Sequence, residues 1–193
     1  MTKKDIIIKE ATRLFASKGF KSTSMAELSK CTNVAEGTIF YHFKNKEDIF
    51  ITILKHVKNG IIEEFEAYIR NKTFNEPLEM LEDVICFYLY LAGKNEQWFK
   101  ILNHPFSYDL AENNSVCRNQ LDAIYNCIID IFENAVSQAV KEQTNKTIQK
   151  RKIALIIFSM VNGLVWFKLH HLYDTEALYK ELKTCCRKIL QNA

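Results

Sequence analysis

The chain has 193 residues, 48% of them hydrophobic and 25% charged, which is enough to build a sizeable core in one or two domains. Only 5 Gly and 2 Pro leave few turn makers, which argues against a β-sandwich and for long helices. The formal net charge of +3 is uneven: residues 1–50 hold 9 Lys+Arg and 6 Asp+Glu, and the remainder holds 17 of each, so the whole excess lies at the N-terminal end.

The first helix is expected from about Thr2 to Ser17, with Ile7, Ala11, Leu14 and Phe15 on one apolar face. Gly19 sits where a C-terminal residue with positive φ would end it, and Phe20 folds back to the core. Ser24 and Glu27 then have capping-box spacing, and Asn33 with Glu36 repeats it for a second short helix. Asn45 can cap a third, with Glu47 and Asp48 in its first turn, where carboxylates suit the macrodipole. Short helix, turn, short helix is the outline of a helix-turn-helix, whose second helix enters the DNA major groove. Ala26, Leu28, Ile39 and Phe43 supply its apolar positions. Gly37, Thr38, Tyr41 and His42 leave the other side small at its start and hydrogen-bonding at its end.

The helix from Lys46 has no breaker until Gly60 and is expected to reach about Arg70. Asn75-Glu76-Pro77 is a start signal for a helix running to Gly93. A short helix at Glu96–Leu102 ends before His104-Pro105, and residues 106–115 read as polar and irregular, with Asn113-Asn114 as a turn. A long helix follows from Val116 to about Gln143, then a polar break at Glu142–Lys146 and a helix from Thr147 to His171. Asp174 and Thr175 are expected to cap a last helix ending near Leu190. From Ile153 to Phe167 apolar residues lie nearly all the way round, so that helix should be buried on all sides, one of them against a second subunit. Gly163 in its middle costs about 1 kcal/mol against Ala, and close backbone approach would be a reason for it. Leu178, Leu182, Cys186, Ile189 and Leu190 of the last helix would complete a four-helix interface with twofold symmetry.

The segments IIIKEATRLFASKGFKSTSMAEL and NVAEGTIFYHFKNKEDIF resemble the DNA-binding domain of the TetR family of transcriptional regulators, and GTIFYHFKNKEDIF is their most specific part. The likeness covers about the first quarter of the chain. It implies an all-α homodimer: a three-helix DNA-binding domain at 1–46, and a helical ligand-binding and dimerisation domain at 47–193. By family position, Ser24 and Lys46 should touch phosphates, and Tyr41 and His42 should anchor the reading helix to the backbone. Ala35, Glu36, Gly37 and Thr38 should face base edges. Phe40 stands where the family often has Tyr, which removes one phosphate contact. Glu36 stands where Lys or another polar residue is frequent; a carboxylate can accept from cytosine N4. The helix from Lys46 would link the two domains as a lever.

The expected partners are therefore a roughly palindromic double-stranded DNA operator, a small-molecule effector and a second copy of the chain, with the protein acting as a repressor. Tyr88, Phe99, Tyr125, Phe132 and Phe158 are among many aromatics between residues 88 and 166, which suits a moderately hydrophobic effector. Trp98, His104, Asn126, Asn162 and Trp166 are the candidate orienting groups.

Nothing at the N-terminus resembles a signal peptide, and no run reaches the roughly 18 apolar residues of a membrane span, so a cytoplasmic protein is expected. The cysteines (Cys31, Cys86, Cys117, Cys127, Cys185 and Cys186) form no CxxC pair. With the five histidines they complete no metal spacing, and no cofactor is expected. Cys31 reads as a small buried hydrophobe, and the vicinal Cys185–Cys186 as ordinary helix residues. No nucleophile elbow, phosphate-cradling loop or HExxH occurs, which argues against an enzyme. The competing reading is a small-molecule or redox-sensing helical module without specific DNA binding.

Overall fold

The computed structural model describes residues 2–140, 147–175 and 177–191; among them are ten α-helices and no strand. Thr2 starts α1 (Lys3–Lys18) with a complete capping box: its hydroxyl accepts from the Asp5 N–H at 3.2 Å, and the Asp5 carboxylate accepts from the Thr2 N–H at 2.8 Å. Those bonds hold the Asp5 carboxyl below the usual carboxylate range. Gly19 ends the helix at φ 88°, a conformation that only glycine takes without strain.

The chain forms two compact units. The first comprises Met1–Gly60 and Asn95–Ile124. It holds α1, α2 (Met25–Thr32), α3 (Glu36–His42), most of α4 (Lys46–Ile69), α6 (Glu96–Leu102), α7 (Pro105–Asn113) and the start of α8 (Ser115–Ala139). Its core is built on Ile7, Leu14, Phe15, Leu28, Ile39, Phe43, Phe50 and Leu54. Here α1 packs on α2, α3 and α6. The Phe20 ring stacks on Phe106, with centroids 3.8 Å apart, and both meet the edge of Phe50.

The second unit comprises Ile61–Lys94 and Tyr125–Ala193. It holds α5 (Glu79–Lys94), α9 (Thr147–Leu169), α10 (Tyr179–Gln191) and the remainders of α4 and α8. The Glu79 carboxylate accepts from the Asn75 and Glu76 N–H groups, so the start signal at Asn75-Glu76-Pro77 becomes a cap. Both α5 and α10 pack on α9. Glu82 of α5 bridges Lys183 and Arg187 of α10. Burial alone would raise its pKa, but the two cations outweigh burial and lower it.

Several local expectations are corrected. Glu27 does not reach back to the Ser24 N–H; it pairs with Lys18 of α1, leaving Ser24 as a one-sided cap at 3.0 Å. Asn33 is not an N-cap. It closes α2 in the left-handed region at φ 52°, and Ala35 starts α3 with no side-chain cap. Residues 105–113 are helical, because the His104 Nδ1 accepts from the Phe106 N–H and Pro105 occupies the first turn. Asn114 ends that helix and caps α8 through the Val116 and Cys117 N–H groups. The last helix starts at Tyr179, four residues beyond Thr175, whose carbonyl accepts the Leu178 N–H of a turn. Cys31 is exposed, whereas Leu28 and Thr32 of the same helix are buried. The break expected at Glu142–Lys146 lies outside the described residues.

By length and composition α9 could cross a membrane: Gln149–Leu169 has a mean hydropathy of 1.6, although its longest apolar run is interrupted. It is the central helix of its unit, with Ile153, Ala154, Ile157, Phe158, Val161 and Val165 buried. Its other side carries exposed Leu155, Ile156, Ser159 and Trp166. It is thus not buried all round within one chain. On α10, Leu182 and Cys186 are buried in their own unit, and Leu178, in the turn just before it, is exposed. Burial pushes the Cys186 thiol up to about 11, while its neighbour Cys185 points to solvent, so the vicinal pair offers no joint dithiol.

Candidate nucleic-acid interface

The short α3 is held by its buried side. Ile39 is fully buried, Phe43 nearly so, and the Phe43 N–H donates to the Ile39 carbonyl at 2.9 Å. The opposite side is open at Gly37 among the described residues. Ala35, Glu36 and Gly37 are exposed and Thr38 is half-buried beside them. A methyl group at Gly37 would meet no atom within 4 Å, so no packing inside the chain requires glycine there. One turn on, Phe40 is 50% exposed and Tyr41 83% exposed. The His42 ring lies 5.2 Å from Tyr41 and 6.3 Å from Phe43, and is half-buried. A helix that is small at its N-terminal end and aromatic and hydrogen-bonding at its C-terminal end can lie in a major groove, with its backbone near the base edges.

Ser24 is exposed at the start of α2. Its oxygen accepts from the Glu27 N–H, which leaves its hydroxyl proton free to donate. Lys46 is placed differently. Its ammonium donates to the Phe20 and Thr23 carbonyls, each at 2.7 Å, and lies 4.4 Å from the Phe20 ring centroid. Burial pushes its pKa below the ordinary lysine value. Two of its three N–H groups are thus spent on the turn that leads into Ser24. Asn45 caps α4 as expected, accepting from the Asp48 N–H at 2.8 Å, and Asp48 accepts in return from the Lys44 N–H.

Residues 7–53 match the family model of bacterial regulatory proteins of the tetR family. The HTH-type transcriptional regulator YhgD of Bacillus subtilis (strain 168) is 41% identical over 182 residues, 91% of this chain and 90% of that one. The chain belongs to the TetR family. This TetR-family regulator is also 26% identical over 176 residues to the fatty acid metabolism regulator protein of Bacillus subtilis, covering 89% and 87% of the two chains. It shares its fold with the crystal structure of FadR from Bacillus subtilis in complex with stearoyl-CoA: TM-score 0.73, 24% identity, 98% of each chain covered. It is therefore a helix-turn-helix transcriptional regulator, and the reading as a module without DNA binding is not favoured.

The five effector candidates of this TetR-family chain do not converge within either unit. In the first, Trp98 lies over Gly60 and His104 is spent on capping α7. In the second, Asn126 is exposed and accepts from Arg151, and Trp166 is exposed with its ring on His170. Asn162 sits in an aromatic cluster: its side-chain oxygen accepts from the Tyr88 hydroxyl at 2.8 Å, and Tyr88 rests on Phe132 and Phe158. An open, polar depression of about 410 Å³ between Lys72, Asn75 and Asp83 has its Lys72 and Asp83 charges already paired and is not an apolar ligand site. Among the described residues no group of acidic, His and Cys side chains could hold a metal. Sequence reasoning left Phe40 out of the reading surface. Its signal was available: Phe40 is three residues from Gly37 and so on the same helix face.

Proposed function

We propose that the chain is a cytoplasmic repressor that binds a roughly palindromic operator as a homodimer and releases it on binding a small, moderately hydrophobic effector. Residues 1–46 act as the reading head and residues 47–193 carry effector binding and dimerisation. The observation that carries the reading is the unobstructed outer face of α3. Ala35, Glu36, Gly37 and Thr38 lie against base edges, with Glu36 suited to a cytosine N4 and Phe40 to a thymine methyl. Ser24, Tyr41 and His42 donate to phosphates. Lys46 acts indirectly, holding the turn before Ser24 through the Phe20 and Thr23 carbonyls. Two heads then contact major grooves one helical turn, or a multiple of it, apart.

The stripe Leu155, Ile156, Ser159, Gly163 and Trp166 along α9 supports the homodimer. A methyl group at Gly163 meets nothing within 4 Å in one chain, so any close approach there comes from a second copy. An acyl-bearing effector is supported by the likeness to a fatty acid regulator and by the apolar cluster of Tyr88, Phe132 and Phe158, with Asn162 as its polar group. The effector acts by preferring one arrangement of the heads, which shifts operator affinity by its differential affinity for the two states. The test is selection from random DNA by the purified chain, followed by addition of long-chain acyl thioesters. Enrichment of an inverted repeat and its release by a thioester support the account. Enrichment without release by any acyl compound removes the acyl effector, and no enrichment removes the operator.

A further inference from the structure

We propose that Lys4 is a further DNA-phosphate contact of the reading head, presented beside the C-terminal end of α3. Lys4 lies in the first turn of α1, far in sequence from the reading helix, and its side chain is exposed. Its ammonium stands 5.7 Å from the centroid of the Phe43 ring. Phe43 follows α3 directly, and its ring neighbours that of His42, which neighbours Tyr41. Lys4 thus brings a positive charge to the end of α3 that also presents the Tyr41 hydroxyl. The face of an aromatic ring attracts a cation, so the ammonium is placed without being neutralised.

Three basic side chains of the same unit are committed elsewhere. Arg13 pairs with Glu10, Lys18 with Glu27, and Lys46 with two carbonyls. Among the described residues no carboxylate pairs with Lys4, and its neighbour Asp5 is occupied in capping α1. A placed, exposed and uncompensated ammonium beside a reading helix suits a phosphate oxygen, an interaction that sets affinity and not sequence. It would supply the backbone anchor that Phe40, without a hydroxyl, does not.

The assignment rests on the operator reading above. It is tested with the full chain, Lys4→Gln and Lys4→Arg, by fluorescence anisotropy against a labelled duplex selected by the wild-type chain and against a scrambled duplex, over a salt series. Lys4→Gln is expected to weaken both duplexes alike and to reduce the slope of log K against log salt by about 1 per head. Lys4→Arg is expected to restore the slope, and thermal melting to be unchanged in both. An unaltered slope in Lys4→Gln overturns the assignment, whether affinity is kept or lost. A wild-type chain that selects no duplex overturns the operator reading and this assignment with it.

Discussion

The six-membered ring of the Trp98 indole lies against the backbone of Gly60 so closely that a methyl group there would fall 2.4 Å from the ring. Glycine in mid-helix is a cost, and this contact accounts for it: α6 seats its largest side chain where α4 has none. Gly60→Ala should therefore lower stability by about 1–3 kcal/mol, although Ala is the better helix former. In a Trp98→Ala background the same change should be neutral or stabilising. Denaturation midpoints of the four proteins form the cycle, and simple additivity would contradict the contact.

Gly37 makes the opposite case. Nothing occupies the space its side chain would fill, so Gly37→Ala should stabilise α3 by about 0.5–1 kcal/mol. Selective DNA binding should nevertheless weaken, because the added methyl stands between the helix and the base edges. Thermal melting and anisotropy on the same sample read both effects. Unchanged selectivity would mean that α3 does not approach the bases at this residue.

Lys46 separates holding from contacting. Lys46→Met removes two charge-assisted hydrogen bonds from the turn at Phe20 and Thr23, with an expected loss of about 1–2 kcal/mol of stability. DNA affinity should fall with the salt slope nearly unchanged, since the bonds removed are internal. A slope reduced by about 1 per head at full stability would show a phosphate contact instead.

The α9 stripe predicts a dimer that charge can split. Ile156 is exposed in the single chain, so Ile156→Glu should leave the fold intact. A carboxylate buried against a second copy has no partner, and the variant should sediment as a monomer. It should also lose cooperative binding to an inverted repeat. A variant that stays dimeric would place the interface elsewhere.

The helix-turn-helix was legible in the sequence because its signals are local: Gly19, Ser24 and Asn45 each act within a few residues of their own backbone. Asn33 shows the limit of such signals. The same side chain suits an N-cap and a left-handed helix end, and the choice was made by the packing of α2 on α3. Residues 106–115 misled through their polarity; the decisive element was Pro105 after a histidine able to cap. Lys46 was placed by family position at a phosphate, and only the fold shows the Phe20 and Thr23 carbonyls within its reach. The effector candidates were the least legible. Aromatic residues are as common in a core as in a pocket, and Asn126, His104 and Trp98 turned out to be engaged by Arg151, by a helix start and by Gly60.

The central claim is that the outer face of α3 reads DNA, and Tyr41 is the more exposed of its two exposed aromatic side chains. Anisotropy of the purified chain and of Tyr41→Ala against DNA from upstream of its own gene, with scrambled DNA as control and across a salt series, tests it most directly. The account predicts binding that stays selective near physiological salt in the wild type and is lost in Tyr41→Ala, with dimerisation and melting unchanged. Selective binding that survives in Tyr41→Ala, with an unaltered salt slope, would contradict it.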